Sequence, residues 1–191
     1  MSAARVLAFA GSARGGSFNK KLLAVAAQGA RSAGAEVTVV DLRDLPLPLY
    51  DGDLEERDGL PQNARELKRL FLAHQGLLLA CPEYNSSITP LLKNTLDWVS
   101  RPAEGEAPLA CYAGKVAGLV AASPGGLGGL RGLVHVRAIL SNINVLVVPE
   151  QVAVSKAHEA FDAQGALKDA KQRALVESVG AAVAKLCARL S

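Results

Sequence analysis

The chain has 191 residues, of which 50% are hydrophobic and 20% are charged, and its formal net charge is +3 at pH 7. This size and composition are typical of one globular domain, so we predict a single domain over residues 1–191. Basic and acidic residues are interspersed and only 4% of residues are aromatic, which does not favour nucleic-acid binding. No apolar run approaches the roughly 20 residues that cross a bilayer, so no membrane association is expected.

The cysteines and histidines do not indicate a metal site. Cys81, Cys111 and Cys187 are widely spaced and form no CxxC pair, and the three histidines show no ligand spacing. The N-terminal residues lack the charged and apolar regions of a cleavable signal. We therefore expect a cytoplasmic protein without metal or disulfide.

Five short, continuous apolar runs predict strands that are buried on both faces. In chain order they are Arg5–Ala10, Glu36–Val40, Gly76–Ala80, Val116–Ala121 and Asn144–Val148. Between the runs, periodicity or length predicts helices at Asn19–Ser32, Pro61–Ala73, Pro90–Val99 and Ala166–Leu190. The segment Leu42–Leu60, which contains two prolines and two glycines, predicts a long surface loop.

This alternation of strands and helices predicts an α/β fold. We expect a flavodoxin-like, three-layer α/β/α domain with a five-stranded parallel sheet of order 2-1-3-4-5. In that topology the ligand crevice lies at the carboxyl ends of strands 1 and 3, where the strand order reverses. Functional residues are therefore expected in the loops after Ala10, Ala80 and Ala121.

Loop 1, from Gly11 to Asn19, opens the first predicted helix and is suited to a phosphate. Amide groups at a helix N-terminus are unpaired donors, and glycines let the backbone approach an anion. Ser12 and Ser17 add neutral donors and Arg14 adds a positive charge. The same residue types also cap helices for structural reasons alone. The loop matches neither the GxGxxG nor the Walker spacing, which argues against a Rossmann dinucleotide site and an ATP site.

Loop 2, the segment Cys81–Ser87, combines a rigid proline, an aromatic side chain and several polar groups. Backbone amides and the Asn85 side chain suit the polar edge of a planar ring, while Pro82 and Tyr84 would form its walls. A simple turn before the next helix is the alternative interpretation. We assign Glu83 to the wall of this slot and not to proton donation.

Loop 3, the segment Ser123–Gly129, contains four glycines. Such density indicates either a close approach of the backbone to a ligand or a left-handed turn. All three loops leave the same predicted sheet edge. A phosphate pocket beside a slot for a flat ring describes a mononucleotide with a heterocycle, and FMN has both parts.

These motifs together resemble the NADPH-dependent FMN reductase family, which includes soluble quinone, chromate and azo-compound reductases. The resemblance runs from residue 5 to about 155. It rests on GSxRxxSxN at 11–19, PEYNxS at 82–87, LKNxxDW at 92–98, SRP at 100–102 and the Gly125-Gly126 turn. The chain has Thr95-Leu96 where many relatives have Ala or Ile, a change without an expected consequence.

The resemblance implies FMN as cofactor and assigns a role to each loop. Loop 1 would hold the phosphate, loop 2 the isoalloxazine ring, and loop 3 the other rim of that ring. The predicted cofactor-binding residues are Gly11, Ser12, Arg14, Ser17, Phe18, Asn19, Pro82, Glu83, Tyr84, Asn85, Ser86, Ser123, Gly125 and Gly126. No catalytic side chain is predicted, because the flavin itself carries the hydride.

The implied activity is hydride transfer from NADPH or NADH through bound FMN to a small acceptor such as a quinone, a free flavin, an azo compound or chromate. A flavodoxin-type electron carrier without a nicotinamide site is one alternative, and a non-catalytic mononucleotide-binding module is another. The slightly basic chain favours the reductase, because such carriers are strongly acidic. The resemblance also implies a homodimer or homotetramer.

Three further residues carry separate expectations. Arg14 is a candidate for selecting the 2'-phosphate of NADPH. Trp98 is predicted to pack in the core. Arg101 is expected to be solvated or to pair with a neighbouring subunit.

Overall fold

A computed structural model describes residues 3–190, and within them five parallel strands form one sheet. The sheet strands are β1 (Arg5–Ala10), β2 (Glu36–Val40), β3 (Gly76–Ala80), β6 (Val116–Ala122) and β7 (Leu146–Val154). Two shorter strands, β4 (Glu83–Tyr84) and β5 (Ser87–Ile88), form an antiparallel hairpin. The sheet order β2-β1-β3-β6-β7 confirms the predicted flavodoxin-like arrangement.

Helices cover both faces of this sheet. They are α1 (Phe18–Ser32), α2 (Gly52–Asp58), α3 (Gln62–Ala73), α4 (Pro90–Ser100), α5 (Leu130–Asn142), α6 (Ala157–Ala160) and α7 (Ala170–Leu190). Successive side chains of a strand point to opposite faces. In β1, therefore, Val6 and Ala8 pack with α1 and α7, whereas Leu7 and Phe9 pack with α3, α4 and α5. The three predicted layers are confirmed.

The last strand is longer than predicted. The apolar run Asn144–Val148 is followed by Pro149, yet β7 continues to Val154. The register against β6 shifts between Ala117 and Leu119, where β7 carries extra residues. Proline is tolerated at such an irregularity and on an edge strand, so it does not end β7.

The segment predicted as the loop Leu42–Leu60 contains the short helix α2, so that part of the prediction was wrong. Asp51 caps this helix by accepting a hydrogen bond from the amide of Asp53. None of its residues is buried, and a helix without a buried face has no apolar periodicity.

Two other helices differ from the sequence expectation. Helix α5 connects β6 to β7, a segment in which the sequence analysis located no helix. Helix α7 begins at Ala170 and not at Ala166, because the Asp169 carboxylate accepts hydrogen bonds from the amides of Lys171 and Gln172. Asp169 thus acts as the N-cap.

Helices α1 and α7 pack together closely through two glycines. A Cβ atom on Gly29 would lie 2.0 Å from the Glu177 carbonyl oxygen, and one on Gly180 would lie 1.9 Å from the Ala26 carbonyl oxygen. This contact brings α7 against the face of the sheet that α1 also covers.

The carboxyl ends of β1, β3 and β6 lie side by side and place loops 1, 2 and 3 at one edge. The amide of Gly11 donates to the Ala80 carbonyl at 2.9 Å, and the amide of Cys81 donates to the Val120 carbonyl at 2.8 Å. Among the helices of residues 3–190, none has both the length and the apolar character needed to cross a membrane.

Candidate functional site

Loop 1 begins at a position that only glycine fits. A Cβ on Gly11 would lie 2.9 Å from the Cβ of Leu92 in α4. The Thr89 hydroxyl donates to the Gly11 carbonyl at 2.8 Å and accepts from the amide of Leu92. Helix α4 therefore holds the start of the loop against the end of β1.

The N-terminus of α1 offers free donors to an anion. The amides of Phe18, Asn19 and Lys20 have no acceptor within residues 3–190, and the N-cap residue Ser17 makes no side-chain cap. Ser17 is nevertheless buried, and its hydroxyl lines the cleft beside these amides. This is the geometry in which helix N-termini bind phosphates.

Arg14 supplies the positive charge that loop 1 was predicted to carry. Arg14 lines the cleft, and its guanidinium has no ion-pair or hydrogen-bond partner within the described residues 3–190. The neighbouring carbonyl of Ala13 accepts hydrogen bonds from the guanidinium of Arg43, which in turn fixes the path of the loop. An unpaired guanidinium beside free amides suits a dianionic phosphate.

Asn19 binds the protein backbone with its side chain. The amide nitrogen donates to the Ala122 carbonyl at 2.8 Å, and the Ala122 amide donates back to the side-chain oxygen at 3.0 Å. Asn19 thus ties the first turn of α1 to the end of β6. Its backbone amide remains available to an anion.

Loop 2 is a hairpin and not an irregular turn. Asn85 and Ser86 both have positive φ, at 50° and 69°, as a two-residue type I′ turn requires. The amides of these two residues have no acceptor within residues 3–190. They are therefore available to the polar edge of a ring, while Pro82 and Tyr84 line the cleft.

The Glu83 carboxylate is surrounded by hydrogen-bond donors from the start of α5. It accepts hydrogen bonds from Arg131 Nε at 2.9 Å, Arg131 Nη2 at 2.6 Å and the Gly132 amide at 3.1 Å. Burial raises the pKa of Glu83, but the hydrogen bonds from Arg131 and Gly132 outweigh it and the net pKa is lowered. A carboxylate held charged in this way is a poor proton donor.

The glycines of loop 3 fall into two groups. Gly128 and Gly129 have φ values of 63° and 95°, and a Cβ on either would lie within 2.8 Å of a protein atom. Gly125 and Gly126 have neither constraint, because a Cβ on Gly126 meets nothing within 4 Å and one on Gly125 meets only the Ser123 hydroxyl. Gly128 and Gly129 are therefore needed for a left-handed turn, whereas the backbone at Gly125 and Gly126 is uncovered by neighbouring protein atoms.

One cleft gathers most of the predicted residues. It is lined by Ser12, Arg14, Ser17, Phe18, Asn19, Pro82, Glu83, Tyr84, Ala122, Ser123 and Pro124. Five predicted residues lie outside this lining: Gly11, Asn85, Ser86, Gly125 and Gly126. Asn85 and Ser86 form the hairpin turn of loop 2, and Gly11, the first residue of loop 1, lies against Leu92 of α4.

Sequence reasoning missed several supporting residues. Phe161 stacks on the predicted residue Phe18 with ring centroids 6.0 Å apart, and the ammonium of Lys21 lies 5.9 Å from the Phe161 ring. Arg131 and Thr89 also hold the loops, as described above. None of these belongs to a recognisable motif, so no signal in the sequence identifies them.

Trp98 packs in the core, as predicted. Trp98 is buried, and its Nε1 donates to the Pro48 carbonyl, which also accepts from the Asn94 side chain. The expectation for Arg101 was wrong, because its guanidinium pairs with Glu55 of the same chain at 2.9 Å. Within residues 3–190, no three His, Cys, Asp or Glu side chains are grouped as metal ligands.

Comparison with known proteins gives consistent results. The profile of the NADPH-dependent FMN reductase family matches residues 4–159, a range that includes all three loops. The NAD(P)H-dependent FMN reductase PA1204 of Pseudomonas aeruginosa is 38% identical over 175 residues, covering 91% of this chain and 89% of that protein. A quinone reductase of Escherichia coli is 33% identical over 147 residues, covering 75% of this chain and 73% of that protein.

Solved structures agree with this relationship. FerB, a flavoenzyme NAD(P)H:(acceptor) oxidoreductase from Paracoccus denitrificans, matches with a TM-score of 0.81 and 25% identity, covering 97% of this chain and 98% of that one. An archaeal flavodoxin matches with a TM-score of 0.62 at 10% identity, which shows a shared fold alone. On the strength of the profile match and the identity to curated reductases, the chain belongs to the NADPH-dependent FMN reductase family, as its motifs predicted.

Proposed function

We propose that this protein holds FMN in the cleft at the carboxyl edge of its sheet and uses NADPH or NADH to reduce small acceptors, quinones among them. The observation that carries the proposal is a free helix N-terminus and an unpaired Arg14 on the same cleft that Pro82, Tyr84 and Ser123 line. The family match and the names of the relatives support the same activity.

The residues present fit FMN part by part. The amides of Phe18 and Asn19, the Ser17 hydroxyl and the Arg14 guanidinium would bind the phosphate. The turn amides at 85–86 would bind the polar rim of the ring, between the walls formed by loop 2 and loop 3. FMN, when bound, supplies a centre that accepts hydride from a reduced nicotinamide and passes electrons to an acceptor. The protein's part is binding, orientation and access.

Access to the ring slot favours a small acceptor. Tyr84, which lines the cleft, is 53% exposed, so the cleft is open to solvent on this side. An open mouth of this kind admits a nicotinamide and a quinone in turn. The slightly basic chain also suits anionic nicotinamides better than the acidic surface of an electron carrier does.

The proposal is tested by the absorbance spectrum of the purified protein with FMN, recorded without oxygen before and after addition of NADPH. Flavin bands that bleach with NADPH and return with 1,4-benzoquinone are the expected result. Bands that persist after NADPH and NADH would favour the electron carrier. A protein that binds no FMN at all would contradict the proposed function.

Replacing Arg14 with alanine should weaken FMN binding more than it weakens riboflavin binding. The guanidinium has no other partner within residues 3–190, so its charge is available to the phosphate. We expect the Kd for FMN to rise about 30-fold, which corresponds to the roughly 2 kcal/mol of a charge-assisted hydrogen bond. Fluorescence quenching of the flavin on titration measures both affinities, and riboflavin, which lacks the phosphate, should be nearly unaffected.

Arg189 is the matched control, since it is an exposed arginine in the last turn of α7. Its replacement by alanine should leave both affinities unchanged. If Arg14→Ala also lowers the preference for NADPH over NADH in steady-state kinetics, then Arg14 also contacts the nicotinamide 2'-phosphate. If the preference for NADPH over NADH is unchanged, Arg14 has no role in nicotinamide selection, and only its role in binding the FMN phosphate remains.

A homodimer or homotetramer is part of the proposal. Three exposed apolar side chains follow one another at helical spacing: Leu127 in the turn before α5, and Leu130 and Val134 in α5 itself. They are 52%, 43% and 58% exposed. An apolar stripe of this kind is typical of a subunit contact. We also propose a single domain in the cytoplasm, which the shared sheet and the three buried cysteines support.

A further inference from the structure

Helix α5 begins without an N-cap of its own. Its N-cap position is Gly129, with a φ of 95°, and a Cβ there would lie 2.8 Å from the Cβ of Ala121. The left-handed backbone and the lack of space for a Cβ therefore both exclude a capping side chain at position 129. The first turn contains no acidic residue, and Arg131 places a positive charge at the positive end of the helix dipole.

Glu83 supplies the missing cap from another part of the chain. Its Oε2 accepts from the amide of Gly132, the third residue of α5, which is the amide that an N-cap side chain normally binds. Its Oε1 accepts twice from Arg131 and neutralises the unfavourable charge. The Glu83 side chain is only 8% exposed, whereas that of Arg131 is 55% exposed, so the carboxylate is covered while its arginine partner faces solvent.

This contact joins the two loops that would enclose the ring. Glu83 stands between Pro82 and Tyr84 in loop 2, whereas α5 follows directly from Gly129, the last residue of loop 3. A second tie runs from the Ser87 hydroxyl to His135 Nδ1 at 2.9 Å. The hairpin consequently rests on the first two turns of α5.

We infer that Glu83 is a positioning residue: its carboxylate locks the loop 2 hairpin to the start of α5 and thereby sets the width of the ring slot. The inference rests on the proposed function for what the slot holds. Glu83 acts through Arg131 and Gly132, and its charge is not used in proton transfer.

The test compares three variants of the full-length protein. Glu83→Gln keeps the side-chain volume but loses the charge that Arg131 and the helix N-terminus require. Arg131→Gln removes the ion pair and leaves the hydrogen bond to the Gly132 amide. The matched control is Glu55→Gln, because the Glu55 carboxylate also accepts from an arginine and a second donor, Tyr50, but lies outside the cleft.

Flavin titrations give the first readout. Glu83→Gln should raise the Kd for FMN and for riboflavin by the same factor, about tenfold, because the ring slot is common to both ligands. Arg131→Gln should raise both by a smaller factor, and Glu55→Gln should change neither. An unchanged Kd in Glu83→Gln, or a rise for FMN alone, would overturn the inference.

Hydrogen exchange of the protein without flavin gives the second readout and does not depend on the proposed function. In Glu83→Gln, peptides that cover 83–88 and 123–133 should exchange faster together, whereas in Glu55→Gln they should exchange as in the wild type. Faster exchange in only one of the two segments would show that Glu83 does not couple the loops. Failure of the wild type to bind FMN would contradict the proposed function, while the exchange result would still decide the role of Glu83.

Discussion

Replacing Gly180 with alanine should lower the free energy of unfolding by about 3 kcal/mol or more, because the added Cβ would lie 1.9 Å from the Ala26 carbonyl oxygen. The Cβ position is fixed by the α7 backbone and the carbonyl oxygen belongs to the α1 backbone, so neither atom can rotate away and the two helices must separate. Alanine is the better helix former by about 1 kcal/mol, and this gain is too small to compensate. Urea denaturation followed by circular dichroism measures the change.

The matched control is Gly52→Ala in α2. A Cβ on Gly52 approaches only the Tyr50 hydroxyl, at 4.0 Å, and the residue has no positive φ. We expect this variant to be as stable as the wild type or slightly more stable. Equal stability of Gly180→Ala and the wild type would mean that the two helices do not pack at the distance described.

Most of the sheet was predictable because its strands are buried on both faces. Side chains on both sides of β3 and β6 must then be apolar, which produces continuous runs that end near the true strand ends. The end of β7 was not predictable in this way. As an edge strand it tolerates Pro149, and Glu150 next to it is exposed, so its second half carries no apolar run.

The exposed helix α2 escaped prediction for a related reason. Its sequence GDLEERD buries nothing, and amphipathic periodicity exists only where one face of a helix is covered. The signal that remains is chemical: Asp51 as N-cap, and Asp53 and Glu55 in the first turn. Capping residues thus identify surface helices that periodicity cannot.

The location of the candidate site followed from topology, whereas its internal contacts did not. Parallel strands bring their carboxyl ends to one edge, so three polar loops were expected to meet there. Which side chains bind each other depends on the folded geometry. Asn19 pairs with a residue 103 positions away and Glu83 with one 48 positions away, and no local pattern encodes either contact.

These contacts also change how the polar side chains of the loops are interpreted. Asn19 and Glu83 were predicted to contact the cofactor, and the structure shows that their side chains also bind within the protein, to Ala122 and to the start of α5 respectively. The groups left for a ligand are mostly backbone amides, together with Arg14 and Ser17. Side chains that orient backbone donors are therefore expected to matter as much as those that touch the ligand.

Replacing Asn19 with aspartate should damage both stability and FMN binding, although the two side chains have nearly the same shape. A carboxylate oxygen would replace the donor that lies 2.8 Å from the Ala122 carbonyl, at a residue that is only 4% exposed. We expect a loss of about 2–3 kcal/mol in the free energy of unfolding at pH 7, only partly offset by the helix dipole. The new charge beside the phosphate site should raise the Kd for FMN at least about tenfold.

The expected pH dependence distinguishes this mechanism from simple loss of packing. A carboxyl group that faces a carbonyl has a raised pKa in the folded state, and its protonated form can donate to Ala122. The stability deficit should therefore be largest at neutral pH and shrink below roughly pH 5. The control is Asn63→Asp, since Asn63 is also the second residue of a helix and donates to a carbonyl, that of Pro46, but through a hydrogen bond that is exposed to solvent. Its stability should change by less than about 0.5 kcal/mol at any of these pH values, and an equal loss in both variants would contradict the role of burial at Asn19.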